Sequence, residues 1–210
     1  MTTNIEAPAS TSAGFGYSEL AYILRSFDTA ASARSAQVLR MQEDTANEAL
    51  CLAGASSLLA HGYASYSDGT RFEIPAAPVA YALANARVWS QIELLTAESN
   101  DTVVHVESDE VSMLLQPRML MSWFAFAQNP DLDGSEAILD VLEEHVRQHP
   151  EGTALLRTFN LDQEKHLLIR RDRDGWTTGV VPVPDSDAVE TAGLDRASFL
   201  DQIRATRTWS

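Results

Sequence analysis

The chain has 210 residues, 45% of them hydrophobic, with 15 basic residues against 30 acidic ones and a formal charge of -15. That much apolar material can bury a sizeable core, while the negative charge repels a phosphate backbone and excludes nucleic acid as a partner. No apolar run nears the roughly 18 residues of a membrane span, the N-terminus has no basic segment leading into an apolar one, and the single cysteine, Cys51, rules out an intrachain disulfide. The expectation is a cytoplasmic protein with no membrane partner and no cofactor.

Residues 1–16 are small, polar and rich in Gly, Pro, Ser and Thr, the composition of a flexible arm. Ser18 is placed to cap a short helix with Leu20, Ile23, Leu24 and Phe27 on one face, and a longer helix is predicted from Gln42 to His61, closed by Gly62. A hairpin follows, Tyr63 to Tyr66 and Arg71 to Ile74 around Asp68-Gly69, and Pro78 can open a helix carrying Val79, Leu83 and Ala86. Strands are predicted at 88–95, 102–107 and 111–116, then a helix opened by Pro117 with Leu120, Phe124 and Ala127 on one side. Asp133 and Glu136 read as a capping box before Ile138, Leu139, Leu142 and Val146. Three more strands, 153–161, 165–171 and 176–183, lead to a last helix capped by Asp195 and burying Phe199, Leu200 and Ile203.

Both halves therefore read as helical material, three strands on tight turns, then a helix. Such short links permit only antiparallel pairing. The predicted fold is α+β: antiparallel sheet with helices packed on one face and two pseudo-repeated βββα blocks, in one domain over 17–210 whose related halves cover about 17–130 and 131–210.

The candidate chemistry is thin. His145 and His149 lie four apart with Glu144 adjacent, but without an HExxH motif, and histidines in a last helical turn complement the helix dipole without any metal. No metal is expected there. Cys51 falls between Leu50 and Leu52 inside a helix, the setting of an inert thiol. Ser56 and Ser57 do not form a nucleophile elbow; His105, Asp109 and His166 lack a third catalytic partner. The acidic clusters 131–136 and 185–187 lack the spacing of a calcium loop, and no phosphate-binding glycine motif occurs. The order of helix then hairpin over Glu43–Ile74 has the shape of a winged domain, yet Arg71 is the lone cation of the wing.

The opening Tyr17-Ser-Glu-Leu-Ala-Tyr-Ile-Leu24, the helix-to-hairpin run Glu48-Ala-Leu-Cys-Leu-Ala-Gly-Ala-Ser-Ser-Leu-Leu-Ala-His-Gly-Tyr63 and the repeated blocks together resemble the EspG family of ESX (type VII) secretion chaperones. The resemblance implies two related halves built around antiparallel sheet, and a cytosolic chaperone or adaptor, not an enzyme, holding a client of the PE/PPE kind. Trp89, Met113 and Trp176 stand on predicted strands and are the expected docking residues if one sheet face lacks cover, with Glu93 and Glu107 steering a basic client. The alternatives are a degenerate winged-helix-like regulatory protein, an uncharacterised non-enzymatic binding domain, and an enzyme of another kind.

Overall fold

The structure is a computed structural model that describes residues 12–129, 132–180 and 189–209. Its centre is a nine-stranded antiparallel sheet in the order β1-β7-β6-β5-β4-β8-β9-β10-β11, beside a small β2-β3 hairpin. In chain order the elements are β1 (Ser12–Gly16), α1 (Tyr17–Arg25), α2 (Ala30–Val38), α3 (Gln42–Ala46), α4 (Glu48–Ala60), β2 (Ala64–Tyr66), β3 (Thr70–Phe72) and α5 (Ala76–Asn85). Then come β4 (Val88–Leu95), β5 (Asn100–Glu107), β6 (Ser112–Arg118), a 3-10 turn (Met119–Met121), β7 (Ser122–Ala127) and α6 (Gly134–Gln148). Last are β8 (Thr153–Phe159), β9 (Glu164–Asp172), β10 (Gly175–Val180), β11 (Val189–Leu194) and α7 (Arg196–Arg207). The mixed α and β architecture and the antiparallel pairing are as the turn chemistry requires. Among the described residues no helix is long and apolar enough to cross a membrane.

Two meanders, β4 to β7 and β8 to β11, meet back to back at the β4·β8 pair, and each is followed by a helix. The predicted three-strand blocks are thus four-strand blocks, and the helix expected after Pro117 is a strand. β6 runs through Pro117, which pairs with Trp123 of β7. Proline is tolerated there because the ladder to β5 ends at Leu115, so no amide is missed on that side. β11 escapes a reading by alternation because Val189 to Gly193 are all exposed on an edge strand.

The N-terminal reading needs three further corrections. Residues 12–16 of the expected arm form β1, anchored by buried Phe15 and paired with β7, while residues 1–11 lie outside the described residues. The cap of α1 is Gly16, whose amide donates to Glu19 Oε2 at 2.7 Å, so Ser18 is already inside the helix. The long helix is broken at Asn47, whose side chain accepts from the Leu50 amide at 3.1 Å and starts α4 afresh. Gly62 does take the left-handed conformation expected of it, φ +72°. Asp133 caps α6 by accepting from the Ser135 amide, but Glu136 turns to Arg204 and closes no capping box.

Helices cover both faces of the sheet, not one. Side-chain parity decides which face each strand residue joins. Trp89, Val104, Val106, Met113, Leu115 and Trp123 point to the near face and share a core with α1, α2, α4 and α5. Ile92, Leu156, Leu167, Ile169 and Trp176 point to the far face and share a second core with α6 and α7. β4 contributes to both, through Trp89 on one side and Ile92 on the other.

Candidate docking surface

The three residues expected to form a docking platform are core. Trp89 is 0% exposed, Met113 2% and Trp176 0%. Trp89 donates from Nε1 to Ser35 Oγ of α2 at 2.9 Å, and Trp176 stacks on Phe199 of α7 with ring centroids 4.3 Å apart. Helices on both faces leave neither tryptophan an open side. The proposed steering carboxylates are also engaged: Glu93 with Arg40 and Arg157, Glu107 with Arg207.

His105 sits beside a polar clamp. Its Nε2 lies 2.8 Å from Ser112 Oγ, while Arg207, near the end of α7, binds Glu107 of β5, Asp133 and the Ser135 hydroxyl. Burial pulls the Asp133 carboxyl up, but the Ser135 amide, Arg204 and Arg207 outweigh it and hold the group below the usual range. Burial, then repulsion from Arg207, pushes the His105 imidazole down to about 3, against an upward pull from Asp133. The folded value therefore lies below the unfolded one, and on acidification the unfolded chain takes up a proton that the folded chain refuses. This contribution to stability is complete above about pH 6.5 and falls by up to about 1.4 kcal/mol per pH unit below it. His105→Gln is expected to flatten the loss of unfolding free energy between about pH 7 and about pH 5 in urea titrations; an unchanged slope would refute the assignment.

The other candidates are dispersed. Cys51 is buried, and Asp109 pairs with Arg87. His166 lies 3.3 Å from Glu164. His145 is buried with Nε2 3.2 Å from the Thr153 carbonyl oxygen, and its ring centroid is 5.4 Å from that of His149. Among the described residues no three His, Cys, Asp or Glu side chains gather as metal ligands.

One stretch of sheet that the described residues leave open is an end of the far face. α6 lies over β4 and β5, and α7 over β8 to β11, so β6, β7 and β1 carry no helix on that side. Cross-strand partners put Leu114 and Phe126, Gln116 and Phe124, and Gly14 and Ser12 on the bare strip. The Phe124 and Phe126 rings stack with centroids 6.5 Å apart, and Phe124 rests against Gly14. Between the strip and α6 runs a groove of about 530 Å³, floored by Leu94, Val103 and Leu114 and walled by Val141, Asp140 and Glu144. A second hollow of about 430 Å³, lined by Glu19, His61, Tyr63 and Phe124, bounds the strip at the β1 edge.

At one end of the strip stands the β6–β7 turn, where Met119, Leu120 and Met121 are 87%, 98% and 63% exposed. Leu120 and Met121 hold φ of 60° and 55°, a left-handed conformation that costs a non-glycine residue about 1–2 kcal/mol each. Three large apolar side chains are thus held out in water on a strained turn. The sequence signal was present in Trp123-Phe-Ala-Phe126, a strand with large residues on both faces, which asks for cover on both.

No known family model matches the chain, and no curated protein matches it.

Proposed function

We propose that the protein is a chaperone or adaptor that holds one amphipathic helix of a protein client on the bare strip. The observation that carries this reading is the fit of a helix to the vacant place. Three strands spaced at about 4.8 Å leave a strip about 14 Å wide, and an α-helix with its side chains is about 10 Å across. The seven residues of β6 give it a length of about 23 Å, or roughly 15 helical residues. The second meander offers a parallel: there α7 lies on β9 and β10, and its Phe199 covers Trp176. A client helix would do the same for Leu114, Phe124 and Phe126, burying its apolar stripe while the exposed Asp101 on the rim favours a basic flank. The resemblance to the EspG chaperones supports a secretion client of the PE/PPE kind in this role, in the cytoplasm.

The winged-helix alternative gains nothing. The helix that precedes the β2-β3 hairpin exposes Ala49, Leu52, Ala53, Ser56 and Leu59, with no cation on that face.

The test uses a fluorescein-labelled, 18-residue model peptide with a leucine stripe and lysines at both ends, followed by anisotropy. Binding in the micromolar range is expected, weakened at least about tenfold by Phe126→Asp and unaffected by Ile74→Asp, whose side chain is exposed elsewhere. Equal affinity for wild type and Phe126→Asp would remove the strip as the docking site.

A further inference from the structure

A second face is left without a partner, and it lies in the helical layer over the near face of the sheet. α4 is uncharged from Ala49 to Ala60, in a chain that otherwise carries 15 basic and 30 acidic residues. One side of it, with Cys51, Gly54 and Leu58, is buried in the core. The other side presents Ala49, Leu52, Ala53, Ser56, Leu59 and Ala60, all exposed, at the i, i+3, i+4, i+7 spacing of a single helical stripe. A helix that is apolar all round is one that expects cover all round.

We infer that the occupant of this stripe is α4 of a second copy of this chain, packed antiparallel across a two-fold axis at Ser56. Two features of the stripe fit that occupant. The first is shape. An antiparallel pair centred on Ser56 sets Leu52 against the partner's Ala60 and Ala53 against the partner's Leu59, so each large side chain meets a small one and the surface is complementary to itself, as a two-fold interface must be. The second is charge. Two molecules of net charge -15 repel wherever carboxylates oppose one another. This stripe is uncharged from Ala49 to Ala60, so the pairing opposes no carboxylates along it.

A single helix pair buries less than the roughly 800 Å² per partner of a standard interface, so the dimer is a weak one, assembling in the range of tens to hundreds of micromolar. The bare strip lies on the opposite face of the sheet, so dimer and client can coexist, and neither assignment depends on the other.

The chain provides a clean cross-linking test, because its single cysteine is buried. A residue on a two-fold axis brings its own copies within the Cα separation that a disulfide requires, below about 7 Å. Ser56→Cys is therefore expected to form a covalent dimer on mild oxidation, Ser99→Cys, on an exposed loop, to stay monomeric, and Ser56→Cys combined with Leu52→Glu to lose the cross-link. Sedimentation velocity of the wild type from about 5 to about 500 µM is expected to show a concentration-dependent dimer that Leu52→Glu abolishes with the circular dichroism spectrum unchanged. The proposal is overturned if the wild type stays monomeric throughout, if it forms a dimer indifferent to Leu52→Glu, or if Ser56→Cys cross-links no faster than Ser99→Cys.

Discussion

Gly54→Ala is expected to destabilise the protein by about 3 kcal/mol or more, although it adds one methyl group to a helix and alanine is the better helix former. The cause is the crossing of α4 over α1. A Cβ at position 54 would fall on the carbonyl oxygen of Ser18 and against the Glu19 amide. Those atoms are backbone and cannot swing aside as a side chain would. The helices must separate instead, opening the core around Leu20, Ile23, Cys51 and Leu58. For a chain of this size each kcal/mol lowers Tm by about 2–4 °C, so thermal unfolding should shift down by about 10 °C. A shift within about 2 °C of wild type would show that the crossing has slack. Gly62 makes the useful contrast: it has open space around its Cβ position and φ +72°, and Gly62→Asn is expected to change stability little, because asparagine tolerates that conformation.

The second large effect is expected at Trp89. Trp89→Ala removes a fully buried indole from the near-face core and takes from Ser35 the donor at 2.9 Å, leaving that hydroxyl to donate only to the Leu83 carbonyl oxygen. Phe/Trp→Ala changes in cores cost about 3–5 kcal/mol, a large part of the 5–15 kcal/mol by which domains are stable. The measurement is the urea midpoint, and a variant as stable as wild type would mean that the site collapses around the lost ring. Aspartate at Trp89, Met113 or Trp176 should for the same reason unfold the chain, and any loss of client binding would follow from that. The docking test therefore belongs at Phe124 and Phe126, which can carry a polar group while the strand stays in place.

The turns were the most legible part of the sequence. Asp68-Gly69 and Asp174-Gly175 mark hairpins that are present, with both glycines at positive φ, and short links forced antiparallel pairing throughout. Periodicity failed where two periods coincide. Leu120, Phe124 and Ala127 fit a helical face, but Trp123 and Ala125 against Phe124 and Phe126 fit a strand equally well, and nothing local decides between them. The decision is tertiary: Trp123 and Ala125 complete the near-face core that α1, α4 and α5 close. The docking residues were misplaced for a related reason. Alternation tells which side of a strand a side chain takes, and says nothing of what lies above that side. Cover for Trp89 comes from Ser35, more than fifty positions earlier, and cover for Trp176 from Phe199 in the last helix. The bare strip is hidden in the sequence because the local period places its two phenylalanines within a helix.

The position of β4 has a consequence for how the protein comes apart. This strand is a party wall, with Trp89 built into one core and Ile92 into the other, and its pairing with β8 joins the two meanders into one sheet. Melting either half would strip one side of that wall and expose the residues on which the other half is stacked. Two cores on opposite faces would ordinarily give two melting events. Sharing a wall couples them, so calorimetry should record a single transition, with van't Hoff and calorimetric enthalpies equal, and a cut between residues 129 and 132 should yield two fragments that fold only in each other's presence.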